Sequence, residues 1–263
     1  MAQIWLNALP VFLLIFCRVT AFFVISPIFA YRSVPTIFKI ALGFFISFII
    51  FTVHGDSQPL LTVDLSYILL VMREVLIGIM FGYIVVIFFS TMHTVGGIID
   101  LQIGFAMANV LDPQTGVTVS LTGNFKYMIL MIVFLMMNGH HLLLTALMDS
   151  FLYLPLDNDW FSRMGDGSLA QYLVETFAYS MMLGLQIATP IMVALFITDL
   201  GLGFLAKTAP QFNVFVIGFA IKIFVGLAML FILLPGMGVV FENLFSIMFE
   251  YMERFFSLFS NAD

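Results

Sequence analysis

The chain is expected to fold as an all-α integral membrane protein: about six hydrophobic, partly broken helices, then a C-terminal amphipathic helix. Three observations predict this. Hydrophobic residues make up 62% of the 263 residues and charged residues 9%, whereas soluble domains carry about 25% charged residues. Mean hydropathy is +1.14, so most apolar surface must face lipid or other apolar protein. Six stretches approach the roughly 20 apolar residues of a spanning helix, at 5–30, 36–53, 66–92, 125–148, 170–199 and 213–235.

The first stretch opens MAQIWLNALP without Lys or Arg, and Ile28 stands where cleavage after Ala30 would need a small residue. It reads as a retained helix and not a signal peptide. Ala2 and the final Ser260-Asn261-Ala262-Asp263 carry no lipid-anchor signal. Tyr31–Pro35 ends the first helix and His54–Pro59 the second. Leu154–Ser168 separates the fourth from the fifth, and Gly201–Gln211 reads as a glycine-proline hinge before the sixth. Asn138-Gly139 marks a kink.

After Pro235-Gly236, the polar residues Glu242, Ser246, Glu250, Glu253 and Ser257 recur at helical spacing, while Phe245, Met248, Met252, Phe255 and Phe259 face elsewhere. That pattern is an amphipathic helix on a membrane or a partner. Its stripe is acidic, where a lipid-surface helix favours Lys and Arg, which points to a protein partner. Arg32, Lys39, Lys126 and Lys207 read as loop charges on one side, against Arg163 and Arg254 on the other. This bias puts both termini outside the cytoplasm.

Ionisable groups fall at membrane depth at Arg18, Arg73, Glu74, Asp100 and Lys222. Each costs at least ~2.5–3.5 kcal/mol at a helix centre unless it faces protein or water, so they read as buried charges that hold helices together. Arg73 and Glu74 are adjacent and diverge by about 100° on a helix, so their partners are sought on other elements. Pro190 frees the carbonyl of Gln186. A hairpin with its apex near Ala206 would bring the Lys222 ammonium level with it. Gly78-x-x-x-Gly82 permits a close helix contact.

Several function classes lose support. The net charge of −6 comes with no basic patch for nucleic acid. The lone Cys17 excludes an internal disulfide and Cys-based metal sites. His140 and His141 are adjacent, whereas chelation from one helix wants a spacing of three or four, so no metal and no cofactor is expected. No nucleophile motif appears. Asp100 and Asp199, the pair an intramembrane enzyme would use, lie in no catalytic motif, and no catalytic residue is assigned. The 32 Phe and 18 Met residues read as membrane packing.

The segment from Gly104 to Thr122 departs from its surroundings. Asp112-Pro113 favours a type I turn and Gly116 permits a reversal. Val117–Thr122 then alternates apolar and hydroxyl residues, an extended pattern. Irregular backbone at membrane depth lines a cavity or is buried in protein. Phe105, Met107, Val110 and Leu121 would exclude water there, while Thr118, Ser120 and Thr122 would satisfy backbone groups.

With these features in order, the sequence resembles the FliR-type proteins of the flagellar type III export gate, the SctT type of injectisomes. The matching residues are Arg18, Pro27 and Pro35; Arg73-Glu74 with Gly78 and Gly82; and Gly97, Asp100, Gln102 and Gly104-Phe105 leading to Asn109 and Asp112-Pro113. Asn138-Gly139-His140-His141, Ser150-Phe151 and Pro155 follow, then Pro190, Asp199, Gly201, Gly203, Ala209-Pro210-Gln211, Asn213, Lys222 and Gly226. The resemblance implies an export-gate subunit in the bacterial inner membrane, within the flagellar basal body, assembled with FliP- and FliQ-type subunits beside FlhA and FlhB. It implies that residues 104–122 plug a pore for unfolded flagellar subunits, with Gly104, Phe105, Ala106, Met107, Asn109, Val110, Asp112, Pro113, Gly116 and Leu121 as plug residues. It further implies a FliP-like part over 1–168, a FliQ-like hairpin over 169–236 and the tail helix over 237–263, and helices partly raised out of the bilayer against partners. The alternative reading is a secondary transporter or channel for small solutes, although no matched pair of interrupted helices stands in two halves.

Overall fold

The structure, a computed structural model, describes residues 2–31, 34–54, 65–105, 120–156, 167–211 and 213–260. The described elements are helical: α1 Ala2–Ile25, α2 Thr36–His54, α3 Leu65–Ile103, α4 Leu121–Met136 and α5 Gly139–Tyr153, followed by α6 Ser168–Thr208 and α7 Val214–Leu233. A 3₁₀ turn, Leu234–Gly236, leads into α8, Met237–Ser260. Among the described residues four helices are long and apolar enough to cross a membrane, or five if α4 and α5 count as one broken span; Leu9–Ile25 is a shorter apolar helix.

Helix lengths differ from the hydropathy reading in instructive ways. α3 runs 39 residues, past residue 92 and through Gly96-Gly97. α6 runs 41 residues, through Pro190, Gly201 and Gly203. A helix-interior glycine costs only about 1 kcal/mol, so α6 continues through Gly201 and Gly203, and the hinge expected over Gly201–Gln211 is made at the far end of that range, past Thr208. The fourth span breaks as expected at Asn138, whose φ of 56° is left-handed. Val117–Thr122 is not extended throughout: Leu121 and Thr122 open α4, and residues 117–119 lie outside the described residues. Lys126, read as a loop charge, is fully buried in α4, which removes one of the four charges that set the predicted orientation.

The chain forms two compact units. The first comprises residues 1–87, 138–177 and 246–263. Its α1–α3 contact depends on the two spaced glycines: a Cβ on Gly78 would lie 2.4 Å from the Arg18 carbonyl oxygen, and one on Gly82 would lie 3.2 Å from Ile25. Glu74, one turn before Gly78, therefore meets α1 at close range. Arg18 donates to Glu74 at 2.6 Å, to the Ser150 carbonyl and hydroxyl at 3.1 Å, and to the Leu154 carbonyl at 2.9 Å. Its guanidinium also lies 4.0 Å over the Phe151 ring. Arg73 donates to the Pro155 carbonyl at 2.8 Å and sits 3.6 Å from Glu74. The two adjacent residues thus take partners elsewhere and share one contact, and the two cations gather carbonyls at and just past the end of α5. In this unit α8 buries Met248, Met252, Phe255 and Phe256, with Phe256 against Phe81 and Tyr153.

The second unit comprises residues 88–137 and 178–245. Val95, Ile99, Ile103, Ala188, Ile191, Leu195 and Leu230 form its core, with Phe105 packed against them. Gly184 admits Thr91 and Val95, and Gly226 admits Ile103; a Cβ at either would come within 2.2 Å and 2.6 Å of those side chains. Here α8 buries Phe241, Leu244 and Phe245, and Phe245 meets Phe89 and Phe134. Most of the apolar face of α8 is therefore covered by its own chain, with Val239 left exposed near its start. Its acidic stripe, Glu242, Glu250 and Glu253, is exposed.

The hairpin corrects one further expectation. Lys222 does not reach the carbonyl freed by Pro190; its Nζ lies 2.5 Å from Asp199 Oδ1. Because α6 extends to Thr208, the hairpin turns near Pro210–Gln211, midway between residues 199 and 222.

Candidate functional site: the flanks of the midpoint segment

Of the expected plug residues, Ala106, Met107, Asn109, Val110, Asp112, Pro113 and Gly116 lie outside the described residues. Gly104, Phe105 and Leu121 are described, together with Ser120 and Thr122. They define the two flanks of the segment.

On the first flank α3 stops at Gly104. Its N–H donates to the Asp100 carbonyl at 3.0 Å, and its φ is +100°, a conformation that suits glycine. A Cβ there would also meet the Phe219 ring at 2.7 Å. Phe105 turns into the core of the unit.

On the second flank Ser120 is the N-cap of α4 and accepts from the Gly123 N–H at 2.9 Å. That satisfies one of the four donors a helix start leaves free. Asp100 supplies the next acceptor. Its carboxylate takes the Ser120 hydroxyl at 2.7 Å, the Thr122 N–H at 3.2 Å and the Thr122 hydroxyl at 2.7 Å. The Thr122 proton is shared with the Gly96 carbonyl, 2.8 Å away. A carboxylate at a helix N-terminus is also favoured by the helix dipole.

Two glycines make this reach possible. A Cβ on Gly96 would lie 2.0 Å from the Gly123 Cα, so α3 and the start of α4 touch backbone to backbone. Asp100, one turn beyond Gly96, then falls level with Thr122. One further turn along α4, Lys126 is buried, and its ammonium has no hydrogen-bond partner among the described residues. The Asp100 charge bears on it.

The arrangement unites residues that the sequence kept apart. Asp100, read as a buried packing charge, belongs with Gly104 at the segment flanks. Arg18, Arg73 and Glu74 form a separate cluster in the first unit, and Pro190 stands exposed within α6. Ser120 and Thr122 do satisfy backbone groups, as expected, whereas their bonds to Asp100 and the contacts of Lys126 and Asp199 were missed. The signal for Ser120, Thr122 and Lys126 is a Ser cap followed at i+2 and i+6 by a hydroxyl and a cation. Among the described residues no three His, Cys, Asp or Glu side chains gather in a metal-holding group, and the His140 and His141 rings sit 5.5 Å apart in the first turn of α5.

The chain matches the family model described as bacterial export proteins, family 1, over residues 9–248. It belongs to that family. It is 38% identical over 253 residues to the flagellar biosynthetic protein FliR of Bacillus subtilis, covering 96% of this chain and 97% of the relative. Against FliR of Escherichia coli it is 31% identical, over 94% of this chain and 93% of the relative. A shorter match, 29% identical over 63% of each chain, reaches the Yop proteins translocation protein T of Yersinia pestis. The chain is therefore a membrane component of a flagellar or type III export apparatus, and the small-solute transporter reading is not favoured. The names of these relatives are those of export components and not of enzymes.

Proposed function

We propose that this chain helps form and plug the pore through which unfolded flagellar subunits are exported, with Gly104–Thr122 as the plug. It works in the bacterial inner membrane, in the flagellar basal body, assembled with FliP-type and FliQ-type subunits beside FlhB and FlhA, and in contact with lipid. Residues 1–168 serve as a FliP-like part, 169–236 as a FliQ-like hairpin and 237–263 as an amphipathic tail. No catalytic step, cofactor, metal or nucleic acid enters this reading.

The observation that carries the plug assignment is the closure of the segment flanks. α3 and α4 stop on either side of residues 106–119, and the Asp100 side chain, in the last turn of α3, bonds the Ser120–Thr122 turn. A hydrophobic constriction that gates by dewetting fails when its apolar residues are removed. Deleting Asn109–Val119 is therefore expected to make the assembled complex conduct ions in planar bilayers. An intact complex with the deletion and no added conductance would falsify the plug.

A further inference from the structure

We infer that Asp100 positions the plug segment by holding its two flanks together, and that Lys126 is the buried charge that balances it. The inference rests on the plug reading for its functional meaning and on the geometry for its mechanism.

α4 already has a side-chain cap in Ser120, which serves the Gly123 N–H. The Asp100 carboxylate is thus not needed to begin the helix. Its contacts to Ser120 and Thr122 join residues 20 and 22 positions away, while its own carbonyl takes the Gly104 N–H. Closing a loop costs entropy that some contact at its base must offset. Hydrogen bonds to an ionised acceptor are about twice as strong as neutral ones. Asp100 is 5% exposed, so water competes little for them.

Lys126 completes the arrangement. It lies at i+4 from Thr122 on α4, is 0% exposed and finds no hydrogen-bond partner among the described residues. A buried ammonium is tolerated where a negative charge compensates it. Asp100 bonds Thr122, one turn away on the same face of α4, so its carboxylate is the negative charge set beside Lys126. Removing the carboxylate therefore does two things: it frees the flanks and it leaves Lys126 uncompensated.

The test uses the complex purified with its partner subunits. Cys17 is the chain's only cysteine, so a Cys17→Ser/Val110→Cys chain carries one spin label within the segment. Asp100→Asn should raise the mobile fraction of the label about tenfold, the equivalent of one charged hydrogen bond lost. Thr122→Val should raise it less, and Asp100→Asn/Thr122→Val no more than Asp100→Asn alone, since both act on one contact. Asp100→Asn/Lys126→Met should assemble in higher yield than Asp100→Asn. An Asp100→Asn complex of normal yield with an unchanged label spectrum would overturn the inference. If Asp100→Asn does not assemble, an unchanged spectrum in Thr122→Val does the same, and so does a double variant with no recovered yield. Conductance separates the two readings. A mobile label without added conductance supports the anchor and removes the plug; added conductance with an immobile label overturns the anchor.

Discussion

Glu74 and Asp100 are both carboxylates buried on α3, and they are answered in different ways. Glu74 is met by full charges: Arg18 at 2.6 Å and Arg73 at 3.6 Å, with the spare guanidinium donors spent on carbonyls at the end of α5. Asp100 is met by two hydroxyls and a backbone N–H, with its cation, Lys126, outside hydrogen-bond reach. The first arrangement joins α1, α3 and α5 all at once, because removing any member leaves a charge stranded in the interior. The second grips only the flanks of one segment, through bonds that can be lost one at a time. The Glu74 cluster fits a permanent lock. The Asp100 contacts are a looser hold, of the kind the proposed plug requires.

The largest effect is expected from breaking the lock. Glu74→Gln leaves two guanidiniums without their anion, and breaking a buried pair costs about 3–5 kcal/mol. Steady-state membrane levels of the chain should fall sharply. An Arg18→Met/Glu74→Gln chain should recover part of the loss, since only one cation then remains. If the double variant accumulates no better than the single one, the charge account of this cluster fails.

A third pair sharpens the contrast. Asp199 and Lys222 bond at 2.5 Å yet are 47% and 25% exposed, on a hairpin whose outer face shows Phe215, Phe224 and Phe231. At membrane depth Lys222→Met would leave Asp199 alone, at a cost of up to about 3 kcal/mol. Asp199→Asn/Lys222→Met should be better tolerated than either single change, as read by complex yield after gentle detergent extraction. Equal losses in all three would show that the pair acts through something other than mutual compensation.

Next in size is the glycine contact that lets Asp100 reach its partners. Gly96→Ala places a methyl group against Gly123 and forces α3 from α4, and such overpacking costs about 1–3 kcal/mol. The second unit should loosen while the first does not, which hydrogen exchange can resolve: amides around Thr122 should exchange faster and those around Glu74 should not. Uniform loosening would remove the distinction between the two carboxylates.

The smallest effect on stability is expected on the outer face of α8. Replacing Glu242, Glu250 and Glu253 with Gln should move the thermal midpoint little, since exposed substitutions fall within about 0.5 kcal/mol. Co-purification with partner subunits should nonetheless weaken if the stripe docks on one of them. Unchanged complex yield and motility would sink that role.

The chain's own composition and periodicity determined a good deal. Apolar runs this long and unbroken by alternation point to helices in a membrane, because the helix satisfies every backbone group within its own segment. The kink at Asn138, the α1–α3 contact permitted by Gly78 and Gly82, and the two-faced tail helix follow from single residues and their spacing. The ends of α3 and α6 did not, because glycine and proline lower helix propensity by amounts that packing readily exceeds. The tertiary structure decided which charges meet. Arg18 and Ser150 are 132 positions apart, and Lys222 found Asp199 rather than the carbonyl freed by Pro190. Local sequence carries propensity and periodicity, whereas the partner of a buried charge depends on how far helices run and where their glycines let them touch.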